Sequence, residues 1–172
     1  MKCLHCKKKV AINLSYLPPL CRFCFSHVIE KRIRKHIRIN SLFRSGDVVV
    51  TNNNLCFYLL KKIIKNPRVK IVKKSSQKKA KIVIPWTTDD EIADFLENLF
   101  VNKKRKKTKE IKLLIRITDK EAILFAKNKN INYSPRKKKK QILHMLDKME
   151  KKYPETRFSL LKSVDELEGI IQ

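Results

Sequence analysis

Glycine is almost missing: the 172 residues contain two, Gly46 and Gly169. A loop that wraps a polyphosphate needs several, because the backbone must come close and turn its N–H groups toward the anion. A glycine-rich phosphate loop is therefore excluded throughout the chain. No apolar run approaches the roughly 18 residues of a membrane helix, and "MKCLHCKKKV" lacks the apolar stretch of a secretory signal. The expected location is a reducing cytoplasm, where cysteines serve metals more often than disulfides. Acid is scarce as well: 16 Asp and Glu face 42 Lys and Arg, leaving a net charge of +26. Self-repulsion of that size weakens a compact state unless an anion relieves it. Nucleic acid, an anionic membrane surface or a plainly solvated lysine-rich exterior would each answer it. Nucleic acid is the expected partner and a membrane is not. Aromatics are few (8 Phe, 4 Tyr, 1 Trp) and largely needed inside, so phosphate contact should outweigh base stacking.

What is present is a core's worth of apolar residues, 42%, and a length that fits one domain with a small appendage. Cys3, Cys6, Cys21 and Cys24 give C-x2-C, a gap of 14 residues, then C-x2-C. Each knuckle brings two thiolates to one ion, and two knuckles complete a tetrahedral site. The gap is about one residue shorter than the usual range. A structural Zn²⁺ is expected, with all four positions filled and none open for catalysis. An iron centre or redox-active cysteine pairs are the alternatives. His5 could stand in for a cysteine, and Lys7, Lys8 and Lys9 would offset the thiolate charge.

Beyond the cysteines the periodicity turns helical. Phe25, Ile29, Ile33 and Ile37 form one apolar stripe, with Lys31, Arg32, Arg34, Lys35 and Arg38 on the other faces. Strands are expected at 48–50, 69–72, 81–84 and 111–117, with a short one at 131–133. Helices are expected over 55–65, from Thr88 through Phe100, over 118–127 and 137–152, and in a short piece from 163. "TDDE" (88–91) and "TDKE" (118–121) read as capping boxes, a hydroxyl at the N-cap and a carboxylate three residues on. Ile142, Leu146 and Met149 should face inward. Alternating strands and helices imply an α/β fold with a doubly wound, mostly parallel sheet. The expected organisation is a zinc ribbon at 1–27, a basic linker helix at 28–45 and an α/β domain at 46–172. Two further basic runs, Lys103, Lys104, Arg105, Lys106, Lys107 and Arg136, Lys137, Lys138, Lys139, Lys140, join 31–38 as candidate phosphate contacts. The bland alternative for each is a solvated loop or helix end.

The order of these pieces resembles a family. C-x2-C, "LCRFCF" (20–25), the basic helix, "GDVVV", "TTDDE", "TDKEAILFAKNKNINY" and "YPETRFSLLKS" follow the layout of the PP-loop tRNA 2-thiolation proteins of archaea and eukaryotes. The resemblance is best over 20–38, 87–100, 115–133 and 153–163. It implies an N-terminal zinc finger before a reduced nucleotide-binding α/β domain of the adenine nucleotide alpha hydrolase type. In the family this domain adenylates a tRNA uridine so that sulfur can replace its oxygen. The family's S-G-G-K-D-S loop falls on Thr51, Asn52, Asn53, Asn54, Leu55 and Cys56. Its glycines, lysine and aspartate are gone, which leaves a vestigial nucleotide site of Thr51, Asn52, Asn53, Asn54 and Asp89. Asp89 matches the family's acidic position at the pocket, and it equally suits an ordinary helix N-terminus. The family's sulfur-handling or cluster-binding cysteines have no counterpart in "KKSSQKKAK" or "NYSPRKKKK".

These losses imply a non-catalytic tRNA-binding relative, an accessory or partner subunit in wobble-uridine thiolation. An active paralogue would be its protein partner. Zn²⁺ is the expected cofactor; ATP and an iron–sulfur cluster are not expected. An active sulfurtransferase with a rewritten loop and a zinc-ribbon protein–protein adaptor are the competing readings.

Overall fold

The computed structural model of the chain describes residues 1–170 except Lys78, Lys104, Lys106 and Lys107, and side chains through 167. An antiparallel hairpin, β1 (Ile12–Leu14) and β2 (Leu17–Leu20), leads into α1 (Arg22–Ile39). Then follow β3 (Val48–Val50), α2 (Asn54–Ile63), β4 (Lys70–Val72), β5 (Lys81–Ile84) and α3 (Thr88–Phe100). The chain continues with β6 (Ile111–Lys112), α4 (Asp119–Asn128), α5 (Lys140–Lys152) and α6 (Thr156–Ile170). The four strands β3 to β6 form one sheet in the order β4-β3-β5-β6, every pair parallel. The order reverses between β3 and β5. In an open α/β sheet that switch point, at the strands' carboxyl ends, is where a crevice forms. The turns at Thr51–Asn53 and Pro85–Thr87 border it. Gly46, at φ +90°, makes the turn into β3, a conformation that favours glycine.

The core explains why these segments adopt these forms. Phe25, Ile29 and Ile33 of α1 are fully buried, as the stripe requires, and Val49 of β3 and Val83 of β5 are buried at the sheet's centre. One apolar cluster runs from Cys3, Ile12 and Leu20 of the cysteine module through α1 to Leu55, Leu59 and Phe125 of the sheet domain. A smaller cluster joins Ile92 and Ala93 of α3 to Ile142 and Leu146 of α5. The boundary expected at 27/28 falls inside α1, which runs unbroken from the second cysteine knuckle.

Several sequence expectations need correction. "IKLLIRI" is a strand only at Ile111–Lys112. Leu113 and Leu114 are both buried and the chain turns there, with Ile117 N–H donating to Leu114 C=O at 2.9 Å. Residues 131–133 form no strand. Met149 is 38% exposed, while Ile142 and Leu146 are buried. The last helix starts at Thr156, directly after the proline turn, and not at 163. The first capping box is formed by Thr87 and Asp90. Thr88 instead donates its hydroxyl to Ile115 C=O at 2.8 Å, which leaves its neighbour as the cap. The second box, Thr118 with Glu121, stands as read.

Candidate metal centre and nucleic-acid surface

The first knuckle is a tight turn between the bridged residues Lys2 and Lys9. Cys3 N–H donates to Lys8 C=O at 2.7 Å, Lys7 N–H returns to Cys3 C=O at 2.9 Å, and Lys7 takes a positive φ of 62°. The second knuckle is the first turn of α1. Cys21 is its N-cap, and its Sγ accepts Cys24 N–H at 3.4 Å. The four Sγ atoms lie within 4.8 Å of one another, and Cys3, Cys21 and Cys24 are buried. A tetrahedral ion about 2.3 Å from each sulfur needs sulfurs roughly 3.8 Å apart, so this set fits a zinc ribbon. Its electrostatics call for a cation. Burial pushes the Cys3 thiol up, yet backbone donors from Cys21, Cys6 and His5 bring it down to about 6. Cys24, buried beside three other thiols, is pushed up to about 12. Four thiolates this close cannot all ionise without a positive partner.

At the switch point the β3–α2 turn caps itself. Thr51 is buried, and its hydroxyl accepts Asn53 N–H at 3.3 Å. Asn53 is the N-cap of α2, and its Oδ1 accepts Cys56 N–H at 3.0 Å. Asn54 accepts from Lys73 at 3.3 Å, and Asn52 is exposed. Two amides that could face an anion are thus taken by side chains of the loop. Cys56 is fully buried, and burial pushes its thiol well above the ordinary range.

Across the crevice the N-termini of α3 and α4 lie side by side. Asp119 N–H donates to Asp89 Oδ2 at 2.7 Å, and Thr87 donates its hydroxyl to Asp119 Oδ1 at 2.7 Å. The acids gathered there are matched by cations from distant segments. Arg157 of α6, 4% exposed at its side chain, places Nε 2.6 Å from Asp89 Oδ1 and Nη2 2.8 Å from Asp147, and its Nη1 also contacts Glu150. Lys138, 3% exposed, donates to Asp90 at 2.8 Å and Asp119 at 2.7 Å. Arg32 reaches Glu121, fully buried, at 2.7 Å. Burial raises the carboxyl of Glu121, and burial together with Asp89 raises that of Asp119. Asp89 therefore sits at the crevice but is engaged by Arg157, a residue the sequence reading did not single out. Its only signal was its place in "YPETRFS".

The basic residues divide into two groups. Lys31, Arg34, Lys35 and Arg38 are exposed along α1, and Lys103, Arg136, Lys137, Lys139 and Lys140 are exposed elsewhere. Arg136 stacks over Trp86, its guanidinium carbon 4.3 Å from the ring centre, and Lys139 lies 3.2 Å from Glu97. Lys138 and Arg32 are engaged internally, contrary to the expectation of phosphate contact. Arg105 is likewise held by Glu91 at 2.8 Å and Asp94 at 2.7 Å. Lys104, Lys106 and Lys107 lie outside the described residues.

No family model and no curated protein matches the chain. Among solved structures, the U34-tRNA thiolase NcsA from Methanococcus maripaludis, with its [4Fe-4S] cluster, superposes with a TM-score of 0.70 at 16% identity. The match covers 97% of this chain and 87% of that one. The chain has the fold of a tRNA thiolase. The resemblance read from sequence holds at the level of architecture, including the parallel sheet and the N-terminal four-cysteine site. One expectation is overturned. The absence of an iron–sulfur cluster was inferred from missing mid-chain cysteines. The thiolase with this fold carries such a cluster, and the four N-terminal thiolates here are a donor set compatible with one. Among the described residues no helix is long and apolar enough to cross a membrane.

Proposed function

We propose that the chain binds tRNA and acts as a non-catalytic partner in tRNA wobble-uridine thiolation. The observation that carries this reading is the self-capped β3–α2 turn, where Thr51 and Asn53 accept amides that a phosphate loop would present to its ligand. The Arg157–Asp89 pair supports it, since the acid at the crevice is already neutralised within the chain. The fold shared with a U34-tRNA thiolase supports a link to thiolation, and the exposed cations of α1 with a net charge of +26 support RNA as the ligand. The four cysteines would hold a metal centre that anchors this helix, whether Zn²⁺ or a cluster like that of the thiolase.

The test is retardation of unmodified tRNA by the purified chain. Binding is expected at about 50 mM salt, falling on the order of 10³–10⁵-fold by about 200 mM if six to ten phosphates are neutralised. No thiolated uridine should form with the chain alone. Thiolation by the purified chain would overturn the non-catalytic reading, and no retardation at low salt would overturn the RNA-binding one.

A further inference from the structure

A cleft of about 580 Å³ opens between α1 and the start of α6, and the turns at Thr51–Asn53 and Pro85–Thr87 do not line it. Its volume lies in the range of small-ligand sites, roughly 300–1,000 Å³. One wall is a single face of α1, carrying Arg32, Lys35 and His36 at positions i, i+3 and i+4. The floor is aromatic. Tyr16 meets Phe158 edge to face, ring centres 5.3 Å apart at 71°. The Arg32 guanidinium carbon lies 5.3 Å from the Phe158 ring centre, and Glu121 fixes that guanidinium from behind. The Tyr16 hydroxyl is already bonded to Thr118 at 2.9 Å, so the ring is what the cleft has to offer.

Charge narrows the ligand. Arg32 is paired with Glu121, and Arg116 on the far wall is paired with Asp165 at 3.0 Å. Glu155 also lines the opening. A polyphosphate would meet compensated cations and an extra carboxylate. Burial, and then Arg116, hold His36 below its ordinary range, so it presents a neutral ring. Lys35 is the cation of this lining for which the structure gives no ion pair. Such a lining suits a flat, mostly neutral ring system carrying one phosphate. RNA is read in this way where unpaired bases leave the helix and stack on aromatic rings or guanidinium planes.

We propose that this cleft takes one unstacked nucleotide of the bound RNA, its base against Phe158, Tyr16 and the Arg32 guanidinium and its phosphate at Lys35. The proposal rests on the RNA-binding reading above. It adds a contact that responds to RNA structure to cations that respond only to phosphate.

Two RNA hairpins test it, identical except for one bulged uridine. At about 50 mM salt the chain should bind the bulged hairpin about tenfold more tightly, the scale of one base–aromatic stack. Phe158→Leu and the exposed-site variant Lys35→Ala should each reduce that preference. With 5-iodouridine at the bulge, irradiation of the unaltered chain should cross-link Phe158 or Tyr16. Equal affinity for both hairpins, or cross-links only elsewhere, would overturn the cleft and leave RNA binding standing. Failure to bind either hairpin would overturn both.

Discussion

Arg157 Nε lies 2.6 Å from Asp89 Oδ1, across 68 residues of sequence and with both side chains almost fully buried. The pair ties the last helix to the N-terminus of α3 at the mouth of the parallel sheet. Removing one member leaves an unmatched buried charge, which costs about 3–5 kcal/mol. Arg157→Met should therefore lower unfolding stability by that order in a urea titration. Arg157→Met combined with Asp89→Asn should recover part of the loss. A double variant no more stable than the single one would show that Asp89 is not the partner that matters.

Lys138 and Lys137 are adjacent and should behave in opposite ways. Lys138 is buried between Asp90 and Asp119, whereas Lys137 is exposed. Lys138→Met should destabilise the fold by several kcal/mol and leave the salt dependence of RNA binding unchanged. Lys137→Ala should leave stability within about 0.5 kcal/mol and reduce the log–log salt slope by about 1 if it contacts a phosphate. Melting curves and filter binding over a salt series separate the two effects.

Glu121 gives stability an inverted pH dependence. Burial raises its folded-state pKa above the ordinary value of 4.5, although Arg32 opposes the shift. Above that ordinary value the folded state holds the proton more tightly than the unfolded chain. Its contribution therefore declines as pH rises through the raised folded pKa. The stability difference between the wild type and Glu121→Gln should thus shift against the wild type as pH rises above about 4.5. Comparing the two proteins at each pH cancels any titration of the cysteine site. A difference that moves the other way, or stays flat, would contradict the raised carboxyl.

The four cysteines should carry metal as the protein is isolated. Cys21→Ser is the cleanest variant, because serine is itself a good N-cap and only the thiolate is lost. Metal analysis and absorbance should find one centre per wild-type chain and none firmly held in the variant. Visible absorbance with acid-labile sulfide would mark a cluster, and a colourless protein with one zinc would mark a ribbon. Wild-type protein with no metal and a melting temperature unmoved by chelator would refute the site.

Much of the fold was legible because local patterns and burial agree. β3 and β5 lie where the valine and isoleucine runs place them, and the stripe on α1 is its buried face. The cysteine spacing locates the metal site without help from the rest of the chain. Errors arose where tertiary context decides. Leu113 and Leu114 look like strand residues, yet burial of both side chains in a turn serves the core better. Thr88 reads as the cap in sequence, but its hydroxyl is drawn to Ile115 C=O and Thr87 takes that role. The charged network was invisible for a simpler reason. Arg157, Lys138 and Arg32 find partners 68, 48 and 89 positions away by residue number, and composition marks all three as surface cations.

The apolar cluster that joins Cys3 and Leu20 to Val49 and Phe125 has a thermodynamic consequence. Because one apolar cluster spans the cysteine module and the sheet, the free energy of holding a metal is not confined to the knuckles. By mass action, a ligand bound only by the folded form stabilises whatever folds together with its site. The first turn of α1 is both half of that site and the root of the helix bearing Lys31, Arg34, Lys35 and Arg38. The metal supply would then set how much of the chain stands folded with those four cations held on one helix.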